Sequence, residues 1–160
     1  MLTPTGSGRI AEGNCGTSAG SMAAENTIAF GQAVKYGTDK EKQVKAWDGA
    51  ASADKFAGIA LHGVTGDLDN DQYVQGNAVP VLKKGTVWVK VSANSAAGVI
   101  AGQTAAVRDD GFFDAGPLVV GTSGKYGVEI DGSEFLTGGE PGDLVKLSIN
   151  LPSKTSNVQL

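Results

Sequence analysis

Glycine occurs throughout this chain and divides its apolar residues into short segments. The 160 residues include 24 glycines, which is about twice the usual share of ~7%, and they follow no Gly-X-Y period. Glycine adopts positive φ without steric cost, so these positions suit tight turns. Turn residues recur about every 8 to 12 residues, and no long amphipathic helical pattern interrupts them. The pattern predicts an all-β fold, a sandwich or barrel of short antiparallel strands with Gly-rich turns and an irregular N-terminal arm.

The charge of the chain argues against nucleic acid and membrane as partners. The formal net charge is −4, and the two arginines, Arg9 and Arg108, lie far apart in the sequence, so no basic patch is visible. No apolar run approaches the ~18 residues of a membrane span, and the first residues do not resemble a signal peptide. We expect a soluble protein made in the cytoplasm. The single Cys15 forms no internal disulfide, so packing or association must supply the stability.

Three regions differ in their patterns. Residues 1–25 are rich in Gly, Ser and Ala without helical or strand periodicity, which predicts an arm that is either flexible or ordered against another subunit. Residues 26–151 are predicted to form the β-rich domain. Residues 152–160 are polar, and we expect this C-terminal tail to fray.

Several strands are predicted from alternation and from turn residues. Val44–Trp47 is expected to be a strand, although a short helix over 39–47 also fits the spacing. Phe56–Val64 is expected to be a buried strand in which Gly58 lets another backbone approach. Further strands are predicted on both sides of Asp109-Asp110-Gly111 and over Asp143–Leu151.

The clearest predicted hairpin joins Ala78–Leu82 to Thr86–Ser92 through Lys83-Lys84-Gly85. The alternating valines of its second strand are expected to face the core, with Trp88 and Lys90 on the opposite face. That face is either a second packed layer, which we favour, or an exposed contact patch. Pro80 predicts an edge position or a bulge. The resulting candidate interface residues are Lys83, Lys84, Trp88 and Lys90.

The catalytic motifs of the chain lack the context that their chemistry needs. Gly16-Thr-Ser-Ala-Gly20 matches the G-x-S-x-G nucleophile elbow, but no apolar strand precedes it, and His62 is the sole histidine. Gly6-Ser-Gly8 resembles a dinucleotide-binding turn, yet too few residues come before it to form a strand. A hydrolase that uses Ser18 and His62 remains a remote alternative. We expect no catalytic residues, no cofactor and no enzymatic activity.

The segment Asp67-Leu-Asp-Asn-Asp71 has carboxylates at alternate positions, as a calcium loop does. However, Gln72 stands where that loop needs glycine, and Ala78 stands where it needs a bidentate glutamate. A solvated acidic turn is the favoured interpretation, with weak cation binding left open. No metal site is predicted.

A set of short segments makes the chain resemble the structural cement, or head decoration, proteins of tailed bacteriophages. The order and spacing of these segments carry the resemblance. The matching segments are Ile28-Ala-Phe-Gly-Gln-Ala-Val34, Phe56-Ala-Gly-Ile-Ala-Leu61, Tyr73 with Gly76, Val79-Pro-Val-Leu-Lys-Lys-Gly-Thr-Val-Trp-Val-Lys-Val91, Phe135-Leu-Thr137 and Leu144-Val-Lys-Leu-Ser-Ile-Asn150.

The resemblance implies a β-rich, non-enzymatic protein on the outer capsid surface of the virion. It implies homotrimers at three-fold positions that clamp neighbouring subunits of the major capsid protein and stabilise the head. Synthesis in the host cytoplasm fits this expectation. The alternative function is a carbohydrate- or receptor-binding β module of a virion surface, with Trp47, Trp88 and Tyr126 as stacking aromatics.

Overall fold

The computed structural model describes residues 6–12 and 18–160, and no residue in these ranges is helical. The strands are β1 (Ile10–Glu12), β2 (Ser18–Ala24), β3 (Ile28–Ala29), β4 (Ala33–Tyr36), β5 (Gln43–Ala46), β6 (Phe56–Ala60), β7 (Gln72–Tyr73), β8 (Ala78–Lys90), β9 (Ala105–Val107), β10 (Phe113–Ala115), β11 (Tyr126–Ile130), β12 (Glu134–Phe135), β13 (Leu144–Asn150) and β14 (Thr155–Gln159). The all-β prediction is confirmed.

A closed ring of strands forms the first half of the fold. Strand β8 pairs with β2 on one side and with β6 on the other, and β5 and β4 complete the ring between β2 and β6. All of these pairs are antiparallel except β2–β5, which is parallel. The expectation of purely antiparallel strands fails there, because the chain passes through β3 and β4 before β5 returns beside β2.

The second half of β8 leaves this ring and joins another layer. It pairs with β13, which continues to β12, and with β1. Strands β10, β9, β11 and β14 form a separate four-stranded sheet, and β3 pairs with β7. One apolar cluster fills the ring interior around Val34, Val44 and Val81, and another lies between the sheets around Val89, Val107 and Leu147.

The predicted hairpin at residues 78–92 is wrong, because β8 is one strand of 13 residues. Lys83-Lys84-Gly85 is a bulge and not a turn: the β2–β8 register slips between Ser18 and Ala19, so that Ser18 faces Lys84 and Ala19 faces Leu82. Gly85 has φ +142, which permits the local bend. The bulge lets a single strand belong to both layers of the fold.

Pro80 lies inside the sheet with strands on both sides, and not at an edge. Its carbonyl accepts a hydrogen bond from the Leu61 amide at 2.8 Å, so its ring nitrogen faces the same neighbour. The Leu61 carbonyl, which a backbone amide at position 80 would normally bond, instead accepts the hydroxyl of the buried Tyr73. The bulge that proline also predicted lies three residues further on.

The ends of the chain contribute more strands than expected. Within the N-terminal 25 residues, β1 and β2 pair with β8, so the described part of the predicted arm is built into the sheet. The tail expected to fray contains β14, which pairs with all five residues of β11. Side-chain hydrogen bonds from Asn157 to the carbonyls of Ser52 and Asp54 also hold it, at 2.8 and 2.7 Å.

The remaining strand predictions agree with the structure. Strand β5 forms where the strand was preferred over a helix, and β13 covers the predicted last strand. Strand β6 is buried throughout, but it ends at Ala60, and Val64, the predicted end of this strand, is 85% exposed. Strands β9 and β10 form the hairpin around Gly111. Gly58 has φ +143, and a side chain there would collide with the carbonyl oxygen of Leu82, which confirms the predicted close approach.

Candidate interaction surface

The two faces of the second half of β8 are both packed. Val87, Val89 and Val91 are fully buried between the sheets, which confirms the predicted core face. On the opposite face Trp88 is only 7% exposed, and the Nζ atom of Lys146 on β13 lies 5.5 Å from its ring centroid. Trp88 therefore belongs to a second packed layer, which was the favoured of the two alternatives.

The three lysines of the predicted interface have different surroundings. The Nζ atom of Lys83 donates a hydrogen bond to the Ala57 carbonyl and lies 3.1 Å from the Tyr36 hydroxyl. The ammonium group of Lys83 therefore faces strands β4 and β6 of the ring. Lys84 and Lys90 are exposed, and the Nζ atom of Lys90 lies 5.5 Å from the ring centroid of Phe112. Of the four predicted interface residues, Lys84 and Lys90 are therefore the exposed ones.

The aromatic residues that a carbohydrate site would use are largely enclosed. Trp47 is 1% exposed, and its Nε1 atom donates a hydrogen bond of 3.1 Å to the carbonyl of Tyr126. Trp88 is covered as described above. Sugar rings stack on open aromatic faces, so neither tryptophan offers the platform that the carbohydrate-binding alternative needs.

The candidate hydrolase residues are His62 and Ser18. His62 contacts Phe30, with ring centroids 4.6 Å apart, and its Nε2 atom lies 3.4 Å from Nη2 of Arg9. The backbone of Ser18 is paired with Lys84. No described carboxylate is hydrogen-bonded to His62 to orient it, as a triad would require. Cys15 and Gly16-Thr17 fall outside the described residues.

The acidic turn at residues 67–71 is satisfied by its own groups. Asp67 accepts hydrogen bonds from the Asn70 side chain at 2.6 Å and from the Asp69 amide at 3.1 Å. The Asn70 hydrogen bond, opposed by slight desolvation, lowers the pKa of Asp67. Among the residues in 6–12 and 18–160, no group of three or more His, Cys, Asp and Glu side chains is arranged to hold a metal ion.

An ion-pair cluster joins the buried Lys35 on β4 to two aspartates in the loop between β5 and β6, and no sequence pattern indicated it. The Nζ atom of Lys35 lies 2.8 Å from a carboxylate oxygen of Asp48 and 2.8 Å from one of Asp54, and only 8% of its side chain is exposed. Burial opposes charge on both Lys35 and Asp48. Their hydrogen bond outweighs it, so the pKa of Lys35 is raised and that of Asp48 is lowered. Lys35, Asp48 and Asp54 lie far apart in the sequence, so a pattern of neighbouring residues does not indicate that they come together.

A lysine-lined cleft of about 340 Å³ opens beside this cluster. Lys40, Lys45 and Lys55 border it, and Lys45 pairs with Glu25 at 3.5 Å. Several apolar side chains are also prominently exposed elsewhere, chiefly Val64, Ile100, Val119 and Val120. The described surface therefore offers charged and apolar contact points. No helix long and apolar enough to cross a membrane occurs in the part of the chain that the structure describes.

Comparison with known proteins agrees with this architecture. Residues 2–150 match a family model described as "Structural cement protein (E217 gp24/Pam3 gp6)". No curated protein sequence matches. A chain in the solved structure "The capsid of Myoviridae Phage XM1" is similar, with a TM-score of 0.71 and 15% identity over 94% of this chain and 93% of that chain. An identity this low establishes a shared fold alone. Because the family model covers nearly the whole sequence, the chain belongs to the structural cement proteins of phages, and its place is in the virion capsid.

Proposed function

We propose that this protein binds the outer surface of the phage head as a homotrimer and clamps neighbouring subunits of the major capsid protein. The match of residues 2–150 to the cement family carries the proposal. A protein that binds the assembled shell better than loose subunits stabilises the shell by mass action. The family also implies a structural role without catalysis.

The construction of the fold supports a clamping role. Strand β8 runs without interruption for 13 residues through both the ring and the layer that contains β13, so the two parts are held in a fixed relation. Many copies, each with modest affinity, add up through avidity without a deep pocket. The net charge of −4 keeps such a protein apart from the packaged DNA.

Lys84 and Lys90 are the members of the predicted interface that we propose to contact the capsid directly. Both are exposed, whereas Lys83 and Trp88 are turned toward other parts of the chain. Lys83 and Trp88 then act as supports that hold β8 in shape. Exposed ammonium groups at an interface rim chiefly affect association rate and salt dependence.

Purified protein added to expanded shells that lack it tests the proposal. We expect saturable binding, and weaker binding by a Lys84→Glu, Lys90→Glu double variant. The matched control is Lys125→Glu with Lys154→Glu, because both are exposed lysines and the change in net charge is identical. No binding by the unaltered protein would contradict the proposed function. Equal loss in both double variants would contradict the role of Lys84 and Lys90.

The oligomeric state is tested separately by sedimentation equilibrium. We expect a homotrimer, either in solution or on the shell. A chain that stays monomeric in solution and is not grouped in threes on shells would contradict this part of the proposal. Saturable glycan binding without capsid binding would instead favour the carbohydrate-binding alternative.

A further inference from the structure

One edge of β2 is left open by the described chain. On one side β2 pairs with β8 from Ser18 to Ala23. On the other side it pairs with β5 only at Ala23 and Ala24, because β5 begins at Gln43. Within residues 6–12 and 18–160, no backbone pairs with the outer side of the first part of β2.

The direction of the β2 amides identifies which groups face this edge. The Ala23 amide donates away from β8, to the Lys42 carbonyl at 2.7 Å, whereas the Ala24 amide donates toward it, to the Asn77 carbonyl at 2.9 Å. Backbone groups alternate between the two sides of a strand, so Ser21 and Ala19 face the same side as Ala23. Ser21 also lies opposite Pro80, which has no amide hydrogen to donate.

This edge has none of the usual protection against strand addition. Natural proteins guard free edges with charged residues, prolines, bulges or very short strands. Strand β2 reads Ser-Ala-Gly-Ser-Met-Ala-Ala, with no charge and no proline over seven residues. By contrast, β12 has two residues and includes the exposed Glu134. At Gly20 a side chain would meet nothing within 4 Å, so the face of β2 is open at this position and leaves room for the side chains of an added strand.

We propose that an extended segment of the major capsid protein adds to β2 as a strand. The segment bonds the amide and carbonyl groups of Ala19 and Ser21, and the small exposed side chains of β2 leave room for its larger ones. The inference rests on the proposed function and names the surface through which it operates. Pairing of β2 with the β2 of a second copy would be a two-fold contact, which does not fit the proposed three-fold assembly.

Hydrogen exchange and one pair of variants test the inference. In the free protein we expect the Ala19 and Ser21 amides to exchange rapidly, and on expanded shells we expect both to be protected at least about tenfold. Ser21→Pro removes only the edge-facing amide and places a ring at the edge. It should weaken shell binding about fivefold or more, corresponding to one net hydrogen bond. Ser21→Ala keeps the amide and should bind like the unaltered protein.

The outcomes separate this inference from the proposed function. If the unaltered protein binds shells but Ser21→Pro binds equally, or if the two amides stay unprotected on the shell, strand addition is wrong. If the amides are already protected in the free protein, the edge is occupied by this chain or a second copy, which also overturns the inference. If Ser21→Pro fails to fold, as a melting curve will show, the exchange measurement on the unaltered protein decides. Failure of the unaltered protein to bind shells counts against the proposed function.

Discussion

At the scale of single residues, the contact between Tyr73 and Leu61 explains how a proline fits inside the sheet. Pro80 cannot donate to the Leu61 carbonyl, and the Tyr73 hydroxyl takes that place. Burial raises the pKa of Tyr73 to about 12, so the hydroxyl stays protonated and able to donate at neutral pH. A polar contact of this kind is invisible in the sequence because its three residues are not adjacent.

Replacing Tyr73 with phenylalanine should therefore destabilise the fold. The Leu61 carbonyl would be left buried without its partner, at a cost of about 1–3 kcal/mol in the free energy of unfolding. Urea denaturation of Tyr73→Phe measures it. Tyr126→Phe is the matched control, because no hydrogen bond from the Tyr126 hydroxyl to a described residue is present. Equal stability of the two variants would show that the Tyr73 hydroxyl does not compensate for Pro80.

The Lys35 cluster predicts a definite dependence of stability on pH. The lowered pKa of Asp48 stabilises the fold above the ordinary carboxyl pKa of about 3.9, and this contribution is lost as pH falls through the lower folded value. The raised pKa of Lys35 stabilises the fold below its ordinary value of 10.5, and this contribution is lost as pH rises through the higher folded value.

The variant Lys35→Met should test this dependence directly. We expect it to lower the free energy of unfolding by about 1–3 kcal/mol at pH 7, because two charged hydrogen bonds disappear. The difference from the unaltered protein should shrink as pH falls below about 4. Melting temperatures from pH 2.5 to 8 measure both effects. A difference that stays constant across this range would mean that the ion pairs contribute nothing to stability.

At the scale of secondary-structure elements, the close approach of the paired strands β6 and β8 depends on a glycine. Gly58 has φ +143, a conformation that side chains disfavour, and the Leu82 backbone occupies the space of a side chain. Gly58→Ala should lower the free energy of unfolding by about 1–3 kcal/mol because alanine disfavours this φ. The collision of its Cβ with the Leu82 carbonyl should lower it further. Gly76→Ala is the control: Gly76 has φ +90 but open space around it, so thermal unfolding of the two separates conformation from collision.

Strand β14 lies where the sequence predicted a frayed tail, so its stability can be tested directly. Asn157→Ala removes the two hydrogen bonds to the carbonyls of Ser52 and Asp54. It should lower the free energy of unfolding by about 1–2 kcal/mol. It should also speed amide exchange in β14. Gln159→Ala serves as the control, because the structure gives the Gln159 side chain no hydrogen bond to a described residue. Rapid exchange of the β14 amides in the unaltered protein would instead support a frayed tail.

The elements differ in how far the sequence could predict them, for physical reasons. Strands β5, β6 and β13 were predictable because burial alternates or is continuous along them. Strand β14 contains one apolar residue among Thr-Ser-Asn-Val-Gln, and its pairing with β11 is what makes it a strand. The sequence Lys-Lys-Gly is compatible with either a hairpin turn or a bulge within one strand. The pairing of β8 with β2 and β13 is what makes it a bulge.

The interaction surface was less predictable than the strands. Val87, Val89 and Val91 were correctly placed in the core because alternation fixes one face of a strand. Alternation does not reveal what covers the other face, and so it left the environment of Trp88 open. The edge of β2 is free because its neighbour β5 begins only opposite Ala23. Pairing between distant strands of this kind cannot be inferred from a local sequence pattern.

At the scale of the whole molecule, strand β8 belongs both to the ring and to the layer that contains β13, β12 and β1. The apolar cluster around Val89, Val107 and Leu147 packs this layer against the four-stranded sheet. Such a body keeps exposed contact points at fixed separations, as a clamp between capsid subunits requires. The described surface combines a lysine-lined cleft, exposed valines and an open strand edge, which together suit a broad interface better than a small ligand.

A cryo-electron microscopy reconstruction of expanded shells, with and without added protein, will show where the protein binds. We expect added density outside the shell, grouped in threes around three-fold positions, into which the ring of strands and the four-stranded sheet fit as one body. We also expect continuous strand density between β2 and the major capsid protein in that map. Shells that show no added density, or density on the inner surface, would mean that the protein does not clamp the outer surface of the head.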